Sequence, residues 1–234
     1  MAEFIFMLTH NDETVADALA VYDALRDTTL RHVGFKDVGA APETLAELTR
    51  RMHADGRTVY LEVVSVSAAD ELRSIRVARD IGVDVVMGGT HVDEAAGLLA
   101  GSDLRYYPFP GRIIGHPSIL AGTVEEIAAS AANLSANDAV HGLDLLAYRH
   151  RGPVEPIIDA VVRASPGPVV VAGSIVSDDQ IRAVTRLGAW AFTIGGAAFE
   201  AALPADGSIR AQVEWALAAA ARASTARVSA EGAG

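Results

Sequence analysis

Residues 169–196 read VVVAGSIVSDDQIRAVTRLGAWAFTIGG and contain the pattern that repeats along the whole chain. A short valine-rich run ends in glycine, which is typical of a buried β-strand. Ser177 and Gln180 form a capping-box pattern at the start of an amphipathic segment, and Gly188 suits the end of that helix. A second apolar run then ends in two glycines, so the stretch predicts a strand–helix–strand unit.

Outward from this unit, short apolar runs alternate with longer amphipathic segments. The predicted strands are Phe4–His10, His32–Val38, Thr58–Val64, Val83–Gly89, Leu104–Pro110, Gly142–Tyr148, Val169–Ile175 and Trp190–Gly195. The predicted helices are Asp12–Asp27, Pro42–Ala54, Ala68–Ile81, Val92–Ala100, Thr123–Ser135, Pro153–Ala164, Ser177–Leu187 and Ile209–Ala221. Consecutive strand–helix units imply a parallel sheet, because parallel neighbours need crossover connections. A repeat of about 28 residues favours a closed (β/α)₈ TIM barrel over the competing open, doubly wound sheet.

Length and composition fit a single domain. The chain has 234 residues, 50% of them hydrophobic, and such a barrel needs about 200 to 250. The predicted barrel covers residues 1–222, and the small, polar residues 223–234 are expected to form a flexible tail.

The absence of cysteine excludes disulfides and thiolate chemistry. The loop at residues 111–122, which includes His116, is the longest irregular stretch and a candidate active-site loop.

The charge of the chain restricts its partners. A net charge of −11 and a pI near 5.0 argue against binding to nucleic acid or to an anionic membrane. A phosphorylated small molecule remains compatible, because a helix N-terminus and a few backbone amides hold one phosphate locally. No run approaches the roughly 20 apolar residues of a membrane span, and a signal-peptide pattern is absent. We expect a cytoplasmic enzyme with a phosphorylated small-molecule substrate, and homo-oligomerisation stays open.

The two glycine-ended strands near the C-terminus carry the clearest functional signal. Glycine allows close approach of a ligand and positive φ. The residues after the last strand are expected to form a short helix whose N–H groups face an anion. Barrels often build a phosphate site from the loops after strands 7 and 8. We therefore predict phosphate binding there, the alternative being that these glycines only permit tight turns.

These segments also resemble a known group. The chain resembles the C-terminal quarter of the phosphate-binding barrels in its motifs AGSI, DDQI, LGA and IGGA, within about residues 165–200. That group includes the histidine-biosynthesis isomerase, N-acylmannosamine-6-phosphate 2-epimerase, ribulose-phosphate 3-epimerase and hexulose-phosphate synthase. The resemblance implies phosphate contacts at Gly173, Ser174, Gly195 and Gly196. Ser174 departs from the group, which usually has a second glycine there, although a hydroxyl also donates to phosphate.

Charged residues interrupt three of the apolar strands. Lys36, Glu62 and Asp144 each stand in such a run, where a charge is costly unless it is paired. The strands of Lys36 and Glu62 are neighbours, so an ion pair between the two is geometrically easy. We take all three as candidate catalytic residues, the alternative being structural ion pairs inside the barrel. Asp144 shares its strand face with Tyr148, because side chains alternate along a strand.

Position at the ends of strands supplies the remaining candidates. Catalytic groups in barrels lie at strand C-termini, which adds His10 as a catalytic candidate and His91, Arg112 and Tyr148 as candidate substrate contacts. Metal-dependent epimerases of the group carry a His-x-Met-Asp pattern on strand 2, where this chain has Phe35-Lys36-Asp37-Val38. We therefore expect no metal and no cofactor.

Three hypotheses follow for the function. The first is a sugar-phosphate isomerase or epimerase working through an enediol, with Glu62 or Asp144 as the base. Lys36 would stabilise the oxyanion, helped by His10 or His91. The second is an aldolase or lyase with Lys36 as a Schiff-base lysine, which is second choice because nearby carboxylates stabilise the ammonium form. The third is a barrel that binds a phosphorylated ligand without turnover.

Overall fold

The computed structural model describes residues 2–65, 67–115 and 117–231, and of residues 227–231 only the backbone. A parallel sheet of eight strands forms the centre of the molecule. The strands are β1 (Glu3–Met7), β2 (His32–Lys36), β3 (Thr58–Val63), β4 (Val85–Gly88), β5 (Arg105–Tyr107), β6 (Leu143–Leu145), β7 (Val169–Val171) and β8 (Ala191–Ile194). They pair in the order β6-β7-β8-β1-β2-β3-β4-β5.

Backbone hydrogen bonds nearly close the sheet into a barrel. The His141 amide donates to the Tyr106 carbonyl at 2.9 Å, and the Asp144 amide donates to the Pro108 carbonyl at 3.1 Å. These bonds join the segments of β5 and β6, the two strands at the ends of the ladder. The predicted (β/α)₈ TIM barrel is therefore confirmed, and the open sheet is excluded.

Helices pack around the barrel, and local sequence signals set many of their ends. The helices are α1 (Ala18–Asp23), α2 (Pro42–Ala54), α3 (Ala68–Ile81), α4 (Val92–Leu99), α5 (Val124–Ser135), α6 (Val154–Ala164), α7 (Asp178–Arg186), α8 (Gly196–Phe199) and α9 (Ile209–Glu231). Thr123 and Ser177 each form a complete capping box, before α5 and α7. Gly82 ends α3 in the left-handed conformation, with φ of 76°. None of the described helices is long and apolar enough to cross a membrane.

The side chains inside the barrel pack as a layer of their own. The members of this layer show which strand residues face the barrel interior. Its apolar members are Ile5, Met7, Tyr60, Val85, Met87, Tyr107, Val170 and Ala191. Glu62 lies two residues after Tyr60 and therefore faces the interior as well. Lys36 is the register partner of Glu62. Asp144 lies between Leu143 and Leu145, which both pack outward toward the helices, so it too faces inward.

Three segments differ from the sequence-based expectations. α1 begins at Ala18 instead of Asp12, because Thr9–His10 and Glu13–Thr14 form a hairpin. The expected irregular loop at residues 111–122 contains a second hairpin, of Arg112–Ile114 and Ile119–Ala121, and His116 lies outside the described residues. The final helix continues to Glu231, with Ala223 and Ser224 buried, so residues 223–231 are helical where a flexible tail was expected.

Candidate functional site

A cavity of about 490 Å³ opens at the C-terminal ends of the strands. Its floor contains Met7, Lys36 and Glu62 from β1, β2 and β3. The segments after β1, β5, β6, β7 and β8 form its walls and contribute Asp12, Ser118, Tyr148, Arg149, Gly173, Ser174, Gly195 and Gly196. The carboxyl ends of barrel strands are where catalytic groups collect, so this cavity is the candidate site.

Lys36 lies at the centre of the charged part of the cavity. Its side chain is almost fully buried, and Nζ lies 2.5 Å from Asp12 Oδ1 and 3.6 Å from Glu62 Oε2. The expected contact between Lys36 and Glu62 is therefore present, but the closer partner is Asp12. Flanking carboxylates favour the ammonium form of a lysine, because they stabilise its positive charge.

Asp12 is saturated with hydrogen bonds. Arg149 forms a bidentate pair with it, at 2.8 and 2.7 Å, and the Ser118 amide donates to Oδ2 at 3.3 Å. Burial alone would raise the pKa of Asp12, but the hydrogen bonds and charges of Arg149 and Lys36 outweigh burial and hold that pKa well below its usual range. The lowered pKa favours the ionised form of Asp12, which pairs with two cations.

Asp144 has the opposite environment. Its side chain is fully buried and does not line the cavity. Neither of its carboxyl oxygens has a hydrogen-bond partner among the residues described. Burial raises the pKa of Asp144 well above its usual range, and the negative charge of Glu62 raises it further, against the opposing charges of Lys36 and Arg149. Burial and the lack of hydrogen-bond donors therefore favour the protonated, neutral form of Asp144.

Glu62 is the carboxylate that is both accessible and free to accept a proton. It lines the cavity, and its one polar side-chain contact within the described residues is Lys36 Nζ at 3.6 Å. It accepts no hydrogen bond through its carboxylate in that part of the chain. Glu62 thus combines cavity access with unused lone pairs, which neither Asp12 nor Asp144 does.

The glycine loops after β7 and β8 form another part of the cavity wall. At Gly173, with φ of 110°, a β-carbon would lie 3.1 Å from Cγ of Arg149. At Gly195 a β-carbon would lie 2.5 Å from Oγ1 of Thr9. Both positions therefore require glycine, because a side chain there would collide with neighbouring atoms of the protein. Gly196 is different, because the nearest neighbour of a β-carbon there would be His10 Cδ2 at 3.9 Å, and the residue lines the cavity at the start of α8.

Tyr148 is the one predicted substrate contact outside the glycine loops that lines the cavity. Its hydroxyl donates to the Gln180 carbonyl at 3.4 Å, and burial raises its pKa to about 12. His10, His91 and Arg112 are not part of the lining. His10 Nε2 lies 3.1 Å from Glu200 Oε1, and Arg112 is exposed on the second hairpin.

His91 caps the N-terminal end of α4 outside the cavity. Its Nδ1 lies 2.8 Å from Oε2 of Glu71, a fully buried residue of α3. The amides of Thr90 and His91 donate to the same carboxylate, at 2.9 to 3.0 Å. This arrangement anchors the loop after β4, and the predicted substrate contacts of His10, His91 and Arg112 stay predictions without a place in the cavity lining.

Sequence reasoning missed Asp12 as a site residue and did not select Arg149, although Arg149 directly follows a predicted strand. Asp12 was assigned to the start of a helix, whereas Asn11 and Asp12 form a hairpin turn with φ of 51° and 66°. Asn and Asp are the residues that most readily adopt this left-handed conformation apart from glycine, so the pair directly after a strand was a usable signal. No three His, Asp or Glu side chains of the described residues are arranged to hold a metal ion.

Comparison with known proteins identifies the fold. No protein-family model matches the chain, and no curated protein matches it. A chain of the Amycolatopsis orientalis BexX/CysO complex matches at a TM-score of 0.64 and 19% identity, covering 100% of this chain and 92% of that one. Clostridium perfringens N-acetylmannosamine-6-phosphate 2-epimerase matches at 0.62 and 10%, with coverages of 83% and 86%. The YdjI aldolase of Escherichia coli K12 matches at 0.60 and 15%, with coverages of 96% and 89%.

These similarities show the TIM-barrel fold and nothing finer. A mandelate oxidase with an FMN adduct is also among the matches. An epimerase, an aldolase and an oxidase are all among the matches, so the fold does not specify the reaction.

Proposed function

We propose that this chain is an isomerase or epimerase that moves a proton on a small phosphorylated sugar or a related metabolite. The observation that carries the proposal is the pair of Lys36 and Glu62, 3.6 Å apart on the floor of the mouth cavity. A buried base beside a buried cation is the combination that proton abstraction next to a carbonyl requires.

The choice of base follows from the three carboxyl environments. Asp12 is occupied by Arg149, Lys36 and the Ser118 amide, and Asp144 does not reach the cavity. Glu62 lines the cavity with its carboxylate unused. In the proposed step Glu62 takes the proton from the carbon next to the carbonyl, and the C–H electron pair forms the C=C bond of an enediolate.

Lys36 supplies the positive charge at the developing oxyanion. Asp12 holds the ammonium group from one side at 2.5 Å, so the group is positioned before the substrate arrives. Return of the proton to the neighbouring carbon, with transfer of the hydroxyl proton from one enediolate oxygen to the other, gives an isomer. Protonation of the same carbon from the opposite face, by an acid other than Glu62, gives an epimer.

The phosphate of such a substrate fits the wall formed by the loops after β7 and β8. The backbone N–H groups of Gly173, Ser174 and Gly196 donate no hydrogen bond to any other described residue. Unused backbone amides suit an oxyanion. Gly173 packs against Cγ and the backbone of Arg149, whose guanidinium group is paired with Asp12.

Deuterium wash-in tests this proposal without knowledge of the product. The protein is incubated in D₂O with a panel of triose, pentose and hexose phosphates and N-acylated amino-sugar phosphates, and loss of carbon-bound proton signals is followed by ¹H NMR. We expect exchange next to the carbonyl of at least one panel member, abolished in Glu62→Gln. Exchange at the wild-type rate in Glu62→Gln would refute the assignment of the base.

Aldolase or lyase chemistry through a Schiff base at Lys36 is the second candidate, and the YdjI aldolase shows that this fold accommodates an aldolase. A Schiff-base lysine must be neutral to attack a carbonyl, whereas carboxylates on two sides stabilise the ammonium form of Lys36. Borohydride reduction in the presence of each panel compound decides between the two. A stable mass increase that is absent in Lys36→Met would establish the Schiff base.

A binding protein without turnover is the third possibility. It would show stabilisation of the protein by a panel compound in thermal unfolding, with neither deuterium exchange nor a borohydride adduct. The burial of Lys36 and Glu62 beneath the cavity argues against this possibility, because a purely binding role does not require a base.

A further inference from the structure

Asp144 is a buried carboxyl group that the proposed reaction does not use. It stands in the middle of β6, at 0% exposure, and its register partner on β7 is the apolar Val170. Both of its oxygens lack a hydrogen-bond partner in the part of the chain that the structure describes. An ionised carboxylate in this position would be among the most costly groups that a protein interior can hold.

The charges around Asp144 balance only if it is neutral. The charged groups that act on it are Glu62 on β3, Lys36 on β2 and Arg149 on the turn after β6, and Lys36 and Arg149 both contact Asp12. Two carboxylates, Asp12 and Glu62, match two cations. A third ionised carboxylate would leave the interior with an unpaired negative charge, and it would compete with Glu62 and the substrate for Lys36.

We propose that Asp144 is a positioning residue that acts in its neutral, protonated form. Because a neutral Asp144 does not pair with Lys36, the ammonium group of Lys36 pairs with Glu62 and the substrate oxyanion. Asp144 keeps its proton throughout the reaction and never touches the substrate. The inference rests on the proposed roles of Glu62 and Lys36. It adds a consequence that those roles alone do not have: ionisation of Asp144 sets an upper pH limit on proton transfer.

The protonation state is measurable on the ligand-free protein by ¹³C NMR of carboxyl-labelled aspartate and glutamate, between about pH 4 and pH 10. Asp144→Asn and Glu62→Gln assign the two signals. We expect the Asp144 signal at the position of a protonated acid at neutral pH, with its transition only at higher pH. We also expect a second displacement of the Glu62 signal at that same transition, which disappears in Asp144→Asn.

Two results would overturn the proposal. One is an Asp144 signal at the position of a carboxylate at neutral pH. The other is a Glu62 signal that titrates identically in wild type and Asp144→Asn over the whole range, which is what a purely structural Asp144 predicts. If the asparagine variant does not fold, Asp144→Ser provides the neutral comparison, and the wild-type Asp144 signal is informative by itself.

The functional consequence is tested by deuterium wash-in with the panel compound that exchanges. The rate in wild type should fall at the pH where Asp144 ionises, and in Asp144→Asn that fall should move to higher pH, with the rate at neutral pH within about threefold of wild type. A loss of about 10²-fold or more at neutral pH would instead make Asp144 a proton-transfer group. Because the NMR titration needs no substrate, failure of the reaction proposal and failure of this inference are separable.

Discussion

Asp12 accepts a 2.5 Å hydrogen bond from the Lys36 ammonium group while its own backbone stands in the left-handed region, at φ of 66°. A hairpin turn therefore delivers the carboxylate that holds the central cation of the cavity. Strained, left-handed positions outside glycine are uncommon, and they persist where surrounding contacts over-determine them. Here those contacts are Arg149 and the Ser118 amide.

Asp12→Asn should destabilise the protein by about 3 kcal/mol or more, because it leaves Lys36 and Arg149 buried without their shared anion. Asparagine tolerates the same backbone conformation, so the change tests the charge rather than the turn. The pKa of Asp12 is lowered by folding, so the carboxylate stabilises the fold above pH about 4 and loses this effect as pH falls toward its folded pKa. The measurement is urea unfolding of both proteins at several pH values.

The matched control for Asp12 is Asp27→Asn. Asp27 also pairs with an arginine, Arg210, at 2.6 Å, but its side chain is 74% exposed. Solvent screening makes such surface pairs weak, so this variant should unfold close to wild type. Equal losses of unfolding free energy in Asp12→Asn and Asp27→Asn would show that burial does not strengthen the interactions of Asp12.

Lys36→Met should lower the wash-in rate by about 10²–10³-fold, the range for removal of one oxyanion-stabilising group. It should also cost about 3–5 kcal/mol of stability, because Asp12 and Glu62 lose a buried partner. If Lys36 only neutralises Glu62, the double variant Lys36→Met/Glu62→Gln recovers stability and keeps turnover. Unfolding and wash-in rates of both single variants and the double separate the cases, and a fully active double variant would remove both residues from the mechanism.

The inward-facing charges were predictable from sequence because a strand has a period of two. Lys36, Glu62 and Asp144 each interrupt an apolar run, and alternation places them in the barrel interior beside Tyr60 and Val170. The capping boxes mark the starts of α5 and α7, whereas the strand predicted as Val169–Ile175 ends already at Val171. These features are local, so a single sequence is enough to read them.

The partners of those charges were not predictable, because they lie on segments whose path depends on tertiary contacts. Asp12 reaches Lys36 only because residues 9–14 form a hairpin in place of the expected first helical turns. Arg149 reaches Asp12 from a one-turn 3₁₀ helix, Ala147–Arg149, that follows β6. Proximity to a strand end favoured His10 and His91 equally, yet neither lines the cavity, and their side chains contact Glu200 and Glu71.

Gly196→Asp should abolish binding of inorganic phosphate while leaving the fold intact. A β-carbon has open space at this position, and the added carboxylate would stand beside the amides proposed to hold the phosphate. The measurement is the rise in melting temperature with increasing inorganic phosphate. Gly207→Asp, which adds the same charge at another open position outside the cavity lining, is the control. Phosphate stabilisation that is unchanged in Gly196→Asp would contradict a phosphate site at this loop.

Asp144→Asn should be more stable than wild type, by a margin that grows with pH. The unfolded chain ionises Asp144 above pH about 4, whereas burial and the charge of Glu62 raise the folded pKa well above that value. Between these two pKa values wild type must take up a proton to fold, so its stability relative to the asparagine variant falls by about 1.4 kcal/mol per pH unit. Above the folded pKa the margin becomes constant.

Urea unfolding of wild type and Asp144→Asn at a series of pH values measures this slope, and groups that titrate alike in both proteins cancel in the difference. Asp27→Asn is the control. The hydrogen bond from Arg210 lowers the pKa of Asp27, but solvent screens this exposed pair, so the difference between wild type and Asp27→Asn should be small and constant above pH about 5. A difference between wild type and Asp144→Asn that does not change with pH would mean that Asp144 is ionised in the folded protein. The barrel interior would then hold three carboxylates against two cations, and Glu62 would share Lys36 with Asp144 in the resting state.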